Sequence, residues 1–426
     1  MNIIYGDCLE ELKKLEDSSI DAVVCDPPYG LSNTKPAQVA DVLKAWVTGD
    51  TVSVPAKKGG FMGADWDSFV PPPAVWEECM RVLKPGGHMA VFAGARTQDL
   101  MGLSIRLAGF EIRDTLGWVY GSGFPKSHNI SKAIDKAAGA EREVVGSSTN
   151  GIAGGTGEHA GEAGAYGFRK EFDITTPATD AAKQWDGWGT ALKPAIEPII
   201  LARKPLDGTV ANNVLAHGVG GLNIDACRVP SDEITGWGGA GAGGQTWNSE
   251  NMRLGKDGDA RPVQGRFPAN VLLDEHAAKE MDKQSGIVPS GGRTSARNAP
   301  KFSNGVYGEW SGAEEKTYTP DTGGASRYFP VFKYQAKAPK KERPVIERED
   351  GAKIQHSTVK PLALMEWLVS LIVPPGGVVL DPFAGSGTTL QAAINKGFTP
   401  IGIEQDADYI KLIEKRLEAT CTTHKN

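Results

Sequence analysis

Short apolar segments typical of β-strands alternate with helical patterns at both ends of the chain, and this alternation constrains the fold most strongly. Strands are predicted at residues 3–5, 22–25, 88–92, 111–120, 197–202, 378–381 and 400–404. Helices are predicted at residues 8–15, 74–83, 97–107 and 362–372, in the stretch that ends at about 395, and at 406–417. Alternating strands and helices build parallel-rich sheets with helices on both faces. The sequence therefore predicts an α/β fold with a doubly wound sheet of seven strands.

The middle of the chain has a different composition. Residues 139–192 and 205–350 are rich in Gly, Asn, Ser, Trp and Arg and have weak periodicity, and residues 236–244 read GWGGAGAGG. Stretches of this kind are insertions or loops shaped by a ligand. We expect them to interrupt the α/β body as a loop insertion at about 139–192 and as a large irregular region at 205–350.

Composition narrows the class of protein. The chain of 426 residues is 40% hydrophobic and 23% charged, which is ordinary for a globular protein, and no apolar run approaches the roughly 20 residues of a membrane span. The N-terminus lacks a signal-peptide pattern. The five cysteines show no paired metal spacing, so we expect reduced thiols in a cytoplasmic protein and no metal. They are Cys8, Cys25, Cys79, Cys227 and Cys421.

Net charge bears on possible nucleic-acid binding. The net charge is −6, which argues against indiscriminate binding because such binding usually needs a large basic excess. Local basic segments are compatible with this value. Residues 333–348 carry six basic and two acidic side chains, and a solvated linker is the alternative interpretation of that run.

A glycine-rich loop follows the strand predicted at 378–381 and opens the next helix. It reads DPFAGSGTT, from Asp381 to Thr389. Glycines allow close approach of the backbone to a ligand, and ligands of doubly wound sheets bind at the carboxyl ends of strands. The loop lacks the Lys of a phosphate loop, and Leu390 takes the third glycine position of a dinucleotide fingerprint. Because Glu404 ends the next strand, where an acid suits a ribose diol, the loop favours a nucleoside ligand.

A second motif, DPPYG at residues 26–30, closes the strand predicted at 22–25. A simple proline turn is one interpretation, but a carboxylate, two prolines, an aromatic and a glycine together suit chemistry on an exocyclic base amine, which is a poor nucleophile. Asp26 would accept one amine N–H, and a carbonyl of the Pro27–Pro28 turn would accept the other. Tyr29 would stack on the base after it is flipped out of the duplex.

The two motifs together resemble the hallmarks of the DNA amino-methyltransferases, which are DPPY and an FxGxG loop matched here by FAGSG. The order, with DPPY first, resembles the permuted beta subgroup. The resemblance covers about residues 1–135 and 350–420, and also residues 193–198. It implies a Rossmann-like class I methyltransferase with a seven-stranded mixed sheet, S-adenosylmethionine as cofactor and double-stranded DNA as partner. It further implies a catalytic half at 1–204, a target-recognition region at 205–350 and a cofactor-binding half at 351–426.

Smaller matches extend the resemblance to the cofactor. The segment HSTVKP at 356–361 resembles the part of the family where hydroxyl and Lys groups hold the methionine carboxylate, and YGDC at 5–8 resembles the part that contacts adenine. The resemblance assigns Asp7 to the adenine amino group and Glu404 to the ribose hydroxyls. In the alternative interpretation Asp7 only caps a helix and Lys360 is a surface lysine. We assign no catalytic role to His356.

The motifs and the resemblance together predict which residues form the site. The expected catalytic residues are Asp26, Pro27, Pro28 and Tyr29. The residues expected to bind S-adenosylmethionine are Asp7, Cys8, Asp26, Thr358, Lys360, Asp381, Phe383, Ala384, Gly385, Ser386, Gly387, Thr388, Thr389 and Glu404.

Three segments mix aromatic and basic residues and are candidates for DNA contact. Residues 118–127 could line the base pocket or touch phosphate, and a packed aromatic loop is the alternative. Residues 266–270 and 327–330 combine Arg with aromatic side chains, which suits DNA contact but also the edge of a core.

The sequence favours methylation of adenine N6 in a specific duplex sequence. Family members that methylate cytosine N4 more often carry Ser in place of Asp26, so cytosine is the second hypothesis. RNA or protein-amide methylation and an inactive DNA-binding relative are further alternatives. No nuclease motif is evident, which favours a methyltransferase that acts alone over one paired with a restriction enzyme, in the cytoplasm of a bacterium or a phage-infected host.

Overall fold

The computed structural model describes residues 2–32, 34–55, 65–121, 123, 127–148, 172–237, 261–289, 322–332, 343–348, 350–356 and 358–423. The chain divides into two compact units, one formed by residues 1–121 and 196–426 and the other by residues 122–195. Within the described part of the chain, no helix is long and apolar enough to cross a membrane.

The strands are β1 Asn2–Tyr5, β2 Ile20–Cys25, β3 Leu83–Phe92, β4 Glu111–Val119, β5 Val144–Ser148, β6 Phe172–Thr175, β7 Ile196–Arg203, β8 Val229–Trp237, β9 Arg261–Arg266, β10 Val271–Asp274, β11 Val288–Pro289, β12 Thr322–Gly323, β13 Val331–Phe332, β14 Ile346–Glu347, β15 Lys353–Ile354, β16 Val378–Asp381 and β17 Thr399–Glu404. The helices are α1 Cys8–Leu12, α2 Pro36–Val47, α3 Pro73–Val82, α4 Gln98–Leu107, α5 Ile130–Ala137, α6 Asp180–Gln184, α7 Val210–His217, α8 Glu275–Ser285, α9 Leu362–Ile372, α10 Thr388–Asn395 and α11 Ala407–Thr423.

A mixed sheet organises the larger unit. In the described residues it has nine strands, in the order β1-β17-β16-β2-β3-β7-β4-β10-β13. All neighbouring pairs are parallel except the two that involve β7, which runs antiparallel to β3 and β4. The first residues of β7 therefore lie beside the last residues of its neighbours β3 and β4.

The two ends of the chain meet in the centre of this sheet. Strand β16 pairs with β2, so that Val379 lies beside Ala22 and Leu380 beside Val23. From this pair the chain proceeds in opposite directions, since β17 lies on one side and β3 on the other. A ligand crevice forms at the carboxyl ends of strands where the order reverses in this way. The DPPY and FAGSG motifs follow these two central strands.

Both faces of the sheet are covered, as the hydrophobic pattern of β2 requires. Every residue of β2 is buried, which is typical of a strand inside a parallel sheet. Val23 and Cys25 pack into one core cluster with residues of α2, α3 and α4, whereas Ala22 and Val24 pack into a second cluster with α9. The prediction of an α/β doubly wound fold is confirmed.

The strand count and some helix bounds differ from the prediction. The seven predicted strands are all present, but β10 and β13 extend the sheet to nine. These two strands have four and two residues, too few to show a periodic pattern in the sequence. Helix α2 was not predicted, the predicted helix at 8–15 ends at Leu12, and the last helix continues to Thr423.

The region 205–350 is more regular than its composition predicted. It contains α7, α8, the antiparallel pair β8–β9 and the sheet strands β10 and β13. Most of the GWGGAGAGG run and of the basic segment 333–348 lies outside the described residues. The compact units do not follow the predicted three-part division, which is a division of function and stays a prediction.

The unit formed by residues 122–195 includes the predicted insertion. Its described part contains α5, α6 and the antiparallel pair β5–β6. Asp135 is buried and accepts hydrogen bonds from Arg142 and from the Ala178 and Thr179 backbone amides. These bonds tie α5 to the start of α6.

Asn213 connects α7 to the start of β3. Its side chain is fully buried. It donates to the carbonyls of Pro85 at 2.9 Å and Val219 at 2.8 Å, and it accepts from the Asp207 backbone amide at 2.8 Å. Three backbone groups thus have their partner in one side chain.

We predict that Asn213→Ala lowers the free energy of unfolding by about 2–4 kcal/mol, because buried backbone groups lose their partners. Urea denaturation measures this change. Asn212→Ala, at the exposed neighbouring position, is the control and should stay within about 0.5 kcal/mol of the wild type. Equal stability of the two variants would contradict the role of Asn213.

Candidate active site

The DPPY turn is held by groups from two other segments. The backbone amides of Tyr29 and Gly30 both donate to Asp67 Oδ1, at 2.6 and 2.9 Å. The Thr97 hydroxyl donates to the Tyr29 carbonyl at 2.6 Å. Gly30 has a φ of +68°, and a Cβ there would lie 2.7 Å from the Val70 backbone nitrogen. Glycine is therefore required where the chain leaves the turn, and the turn is held by three hydrogen bonds to its backbone.

Four polar side chains meet beside this turn. Asp26 accepts from the Tyr29 hydroxyl at 2.8 Å through Oδ1 and from the Lys360 ammonium at 2.7 Å through Oδ2. Glu197 Oε2 lies 3.4 Å from both the Tyr29 hydroxyl and the Lys360 ammonium. The ammonium also lies 4.9 Å from the centre of the Phe92 ring. We call Asp26, Tyr29, Glu197 and Lys360 the catalytic-edge network.

Burial and the neighbouring charges together determine the protonation of Lys360 and Tyr29. The Lys360 side chain is only 11% exposed, and this burial by itself would lower its pKa. The carboxylates of Asp26 and Glu197 outweigh the effect, so that the pKa of Lys360 is raised and the side chain stays an ammonium. Burial, followed by the charge of Asp26, raises the pKa of the Tyr29 phenol, which remains a neutral donor. Two carboxylates and one ammonium give the network a net negative charge.

The FAGSG loop lies at the carboxyl end of β16, next to the network. Gly385 and Gly387 have φ values of +53° and +77°, a region that favours glycine. The Gly385 amide donates to Glu404 Oε2 at 2.8 Å, and the Ala384 amide donates to the Ile403 carbonyl at 2.9 Å. The loop is thereby bound to the end of β17.

Glu404 occupies the strand end that the sequence predicted. It is 9% exposed, and burial is the main reason that its pKa is raised. Besides Gly385, its carboxylate accepts from the Asp406 backbone amide at 2.9 Å. Glu404 thus fixes the glycine loop itself, a structural role that the sequence did not reveal. Its predicted contact with the ribose stays a prediction.

The hydroxyl residues of the loop face the protein interior. Ser386, Thr388 and Thr389 are all less than 8% exposed. Arg416 of α11 donates to the Ser386 carbonyl at 2.7 Å and to the Gln391 side chain at 2.9 Å. These residues shape the loop, and Arg416 is a contributor that the sequence analysis missed.

Asp381 is a buried carboxyl group at the start of the loop. It is 2% exposed and accepts from the Phe383 amide at 3.0 Å. Burial raises its pKa to about 7, although hydrogen bonds from Thr389 and Phe383 oppose the change. The group therefore titrates near neutral pH.

The predicted adenine-binding segment lies beside β17. The Gly6 amide donates to the Glu404 carbonyl at 3.0 Å. Asp7 Oδ1 accepts from the Leu9 and Glu10 amides, so Asp7 is the N-cap of α1, as the alternative interpretation held. Burial raises the pKa of Cys8 to about 12 and keeps it a thiol. A contact of either residue with the cofactor stays a prediction.

The HSTVKP segment reaches both motifs. Lys360 is mostly buried and contacts Asp26, so the interpretation as a surface lysine is wrong. His356 Nε2 lies 3.0 Å from the position that a Cβ on Gly385 would take, and its ring packs against Tyr409. Thr358 is exposed, and Ser357 lies outside the described residues. The methionine-carboxylate contact of Thr358 and Lys360 stays a prediction.

The aromatic candidates have different positions. Trp118 and Tyr120 are buried, and the Trp118 ring contacts Phe332, which supports the packed-loop interpretation of that segment. Residues 122 and 124–126 of the same segment lie outside the described residues.

The two Arg-aromatic segments contact each other, but at the opposite ends of the strands from Asp26. Arg266 lies over the Tyr328 ring at 5.2 Å and donates to the Arg327 carbonyl at 3.1 Å. Both segments precede strands, β10 and β13, that run parallel to β2 and β16. The pair thus lies at the amino ends of these strands, away from Asp26.

Sequence reasoning missed Glu197 and Asp67 in the active site. Glu197 had a usable signal in the sequence, since it is an acid directly before Pro198 and at the start of a predicted strand. Its position became clear only with the antiparallel direction of β7. Asp67 gave no such signal, because its partners Tyr29 and Gly30 are nearly forty residues away.

Comparison with known proteins identifies the family. A family model described as DNA methylase, of the N6/N4 methyltransferases, matches residues 20–415. The chain belongs to this family, as the two motifs predicted, and the cofactor of the family is S-adenosylmethionine. It is therefore a DNA methyltransferase.

Curated relatives show both full-length and local similarity. Type II methyltransferase M.HindIII of Haemophilus influenzae is 22% identical over 97% of this chain and 94% of its own length. DNA adenine methyltransferase YhdJ of Escherichia coli is 48% identical over 63 residues, which are 15% of this chain and 21% of that protein.

The solved structures that are similar to this chain include the complex of M1.HpyAVI with S-adenosylmethionine. It is 15% identical, with a TM-score of 0.38 over 98% of both chains. The cytosine-N4-specific PvuII DNA methyltransferase is 13% identical, with a TM-score of 0.40 over 97% of this chain and 85% of its own.

The raised pKa of Asp381 makes the stability of the fold depend on pH. Since its pKa is raised from 3.8 to about 7 on folding, the unfolded chain loses this proton first. The contribution of Asp381 to stability therefore falls as the pH rises through this window, by on the order of 4 kcal/mol in total.

We predict that the stability of Asp381→Asn, which cannot ionise, rises relative to that of the wild type when the pH is raised from about 5 to about 8. Urea denaturation at both pH values measures the difference. Asp41→Asn, at an exposed position on α2, is the control and should show no such pH-dependent gain. A constant difference between Asp381→Asn and the wild type would refute the buried titration.

Proposed function

We propose that this DNA methyltransferase transfers a methyl group to adenine N6 of a base flipped out of a specific duplex sequence. The observation that carries the proposal is the position of Asp26 in the catalytic-edge network. The carboxylate lies at the strand end next to β16, where the FAGSG loop begins, and it is fixed by hydrogen bonds on both oxygens. An amine that is hydrogen-bonded to Asp26 would therefore lie next to the loop that we propose holds the cofactor.

The residues present fit S-adenosylmethionine. Gly385 and Gly387 have the positive φ values of a tight glycine turn after β16, and Glu404 with Asp7 supplies acids at two adjacent strand ends. When bound, the cofactor supplies a methyl group already activated by its positively charged sulfur. The net negative charge of the catalytic-edge network complements that positive charge.

The protein then acts mainly by positioning. Asp26 accepts a hydrogen bond from the target amine and draws the nitrogen toward tetrahedral geometry, and a carbonyl of the Pro27–Pro28 turn accepts the second. Each carboxylate oxygen of Asp26 has a further lone pair for this bond beside its existing partner. The Tyr29 hydroxyl holds Asp26, while its ring stacks on the flipped base.

Adenine is favoured over cytosine by two observations. Asp26 stands at the first position of the tetrapeptide, where enzymes that act on cytosine N4 more often carry Ser. In addition, a relative with 48% identity over 63 residues is a DNA adenine methyltransferase.

The test is methyl transfer from labelled S-adenosylmethionine to unmethylated duplex DNA, followed by mass spectrometry of the nucleosides. The proposal expects N6-methyladenine. Detection of N4-methylcytosine instead would establish the second hypothesis, and absence of any methylated nucleoside would contradict transfer to DNA.

We predict that Asp26→Ala lowers the transfer rate by at least about 100-fold, because the amine loses its acceptor. Cofactor affinity, measured by calorimetry, should fall far less than the transfer rate, because the glycine loop and Glu404 are unchanged. Asp41→Ala on the exposed face of α2 is the matched control and should retain wild-type turnover. Normal turnover in Asp26→Ala would exclude the role assigned to this carboxylate.

We predict that Glu404→Ala weakens binding of S-adenosylmethionine by at least about 10-fold, because a charged acceptor for the ribose is lost. The same substitution removes the partner of the Gly385 amide. Calorimetric titration without DNA measures the affinity, and Glu414→Ala, exposed on α11, is the control. Unchanged cofactor affinity in Glu404→Ala would refute the assignment.

A further inference from the structure

Glu197 reaches the active site because of the direction of one strand. It is the second residue of β7 and lies beside Trp118 near the end of β4. In the adjacent strand β3, which is antiparallel to β7, the final residue Phe92 pairs with Ile199. The Glu197 side chain is 28% exposed, and its Oε2 lies 3.4 Å from both Lys360 Nζ and Tyr29 Oη.

We propose that Glu197 is a positioning residue of the methylation site, which shares the Lys360 ammonium with Asp26 and so keeps the Asp26 carboxylate able to accept the target amine. The inference rests on the proposed function and assigns a role that neither motif contains. Glu197 acts through Lys360 and Tyr29, since these two side chains are its contacts in the network.

The charge balance of the network depends on Glu197. Asp26 and Lys360 alone would form a neutral, buried ion pair in which the ammonium belongs wholly to the carboxylate. A buried charge that loses its partner is strongly destabilised, so such a pair stays closed. With Glu197 as a second acceptor, one ammonium serves two carboxylates, and negative charge remains for the incoming amine.

The geometry supports sharing over a simple pair. Lys360 Nζ is held at 4.9 and 5.3 Å from the ring centres of Phe92 and Tyr29, which restricts its position. Its distances of 2.7 Å to Asp26 and 3.4 Å to Glu197 place it between the carboxylates and nearer Asp26. An ammonium has three donors and can serve both acceptors at once.

The arrangement has a consequence for pH. The titratable groups that face Lys360, or act on it through Asp26, are Asp26, Tyr29, Glu197, His356 and Asp381. Burial lowers the pKa of Lys360, and the two carboxylates raise it above its usual value. Removing the charge of Glu197 takes away one raising influence. The ammonium should then lose its proton at lower pH than in the wild type.

The test compares Glu197→Gln, Glu197→Asp and Glu111→Gln in the full-length chain. Glu111 pairs with Arg203 at the far end of the same two strands, so its variant controls for the loss of a glutamate charge from this sheet. Circular dichroism and urea denaturation establish that each variant is folded.

Two measurements are made on each protein. The rate at which an amine-reactive acylating reagent modifies Lys360 is followed by peptide mass spectrometry across pH, without DNA or cofactor. Steady-state methyl transfer then gives kcat and the KM for DNA separately. The first measurement reports on the Lys360 ammonium without any reaction, and the second reports on methyl transfer.

We expect Glu197→Gln to be acylated at Lys360 at lower pH than the wild type and to lose at least about 10-fold in kcat, with the KM for DNA within about 2-fold. Glu197→Asp, which restores the charge, should recover part of kcat. Glu111→Gln should match the wild type in both measurements.

An acylation profile and a kcat in Glu197→Gln equal to those of the wild type would overturn the proposal. A lowered kcat with an unchanged acylation profile, or one that Glu197→Asp does not improve, would also overturn it. If the wild type methylates no DNA, the proposed function fails, and the acylation profile still decides whether Glu197 controls Lys360.

Discussion

The ion pair between Asp26 and Lys360 is the interaction on which the active site depends. It joins residues that are 334 positions apart in the chain, one directly after β2 and one in the segment before α9. The pair can form because β2 and β16 are neighbours in the sheet. The sheet thus brings the DPPY turn to the glycine-rich loop, and the buried ammonium fixes the Asp26 carboxylate at the point where they meet.

The direction of β7 completes the site. Parallel strands deliver their carboxyl ends to the catalytic edge, but an antiparallel strand delivers its first residues there, and in this chain they include Glu197. The network therefore draws on three separated segments of sequence. Its order comes from backbone contacts as well, since Asp67 and Thr97 hold the turn while Glu404 and Arg416 hold the glycine loop.

Much of this fold was predictable because its signals are local. The helix Leu362–Ile372 and the strand Val378–Asp381 begin and end where hydrophobic pattern and flanking prolines and glycines place them. The two motifs at strand ends likewise defined the family. In contrast, β10 and β13 are short and owe their existence to pairing with β4 and with each other. Glu197, Asp67 and Arg416 act through partners distant in sequence, which local patterns do not identify.

The proposed reaction requires the FAGSG loop to place the cofactor's methyl group beside the base amine that Asp26 holds. The most direct measurement is a crystal structure of the chain bound to S-adenosylhomocysteine. We expect the nucleoside on the loop between β16 and α10, beside Glu404, with the sulfur directed toward Asp26. The space between them should admit a methyl group and an amine nitrogen about 3–3.5 Å apart. A nucleoside bound elsewhere, or a sulfur directed away from Asp26, would contradict the proposed reaction.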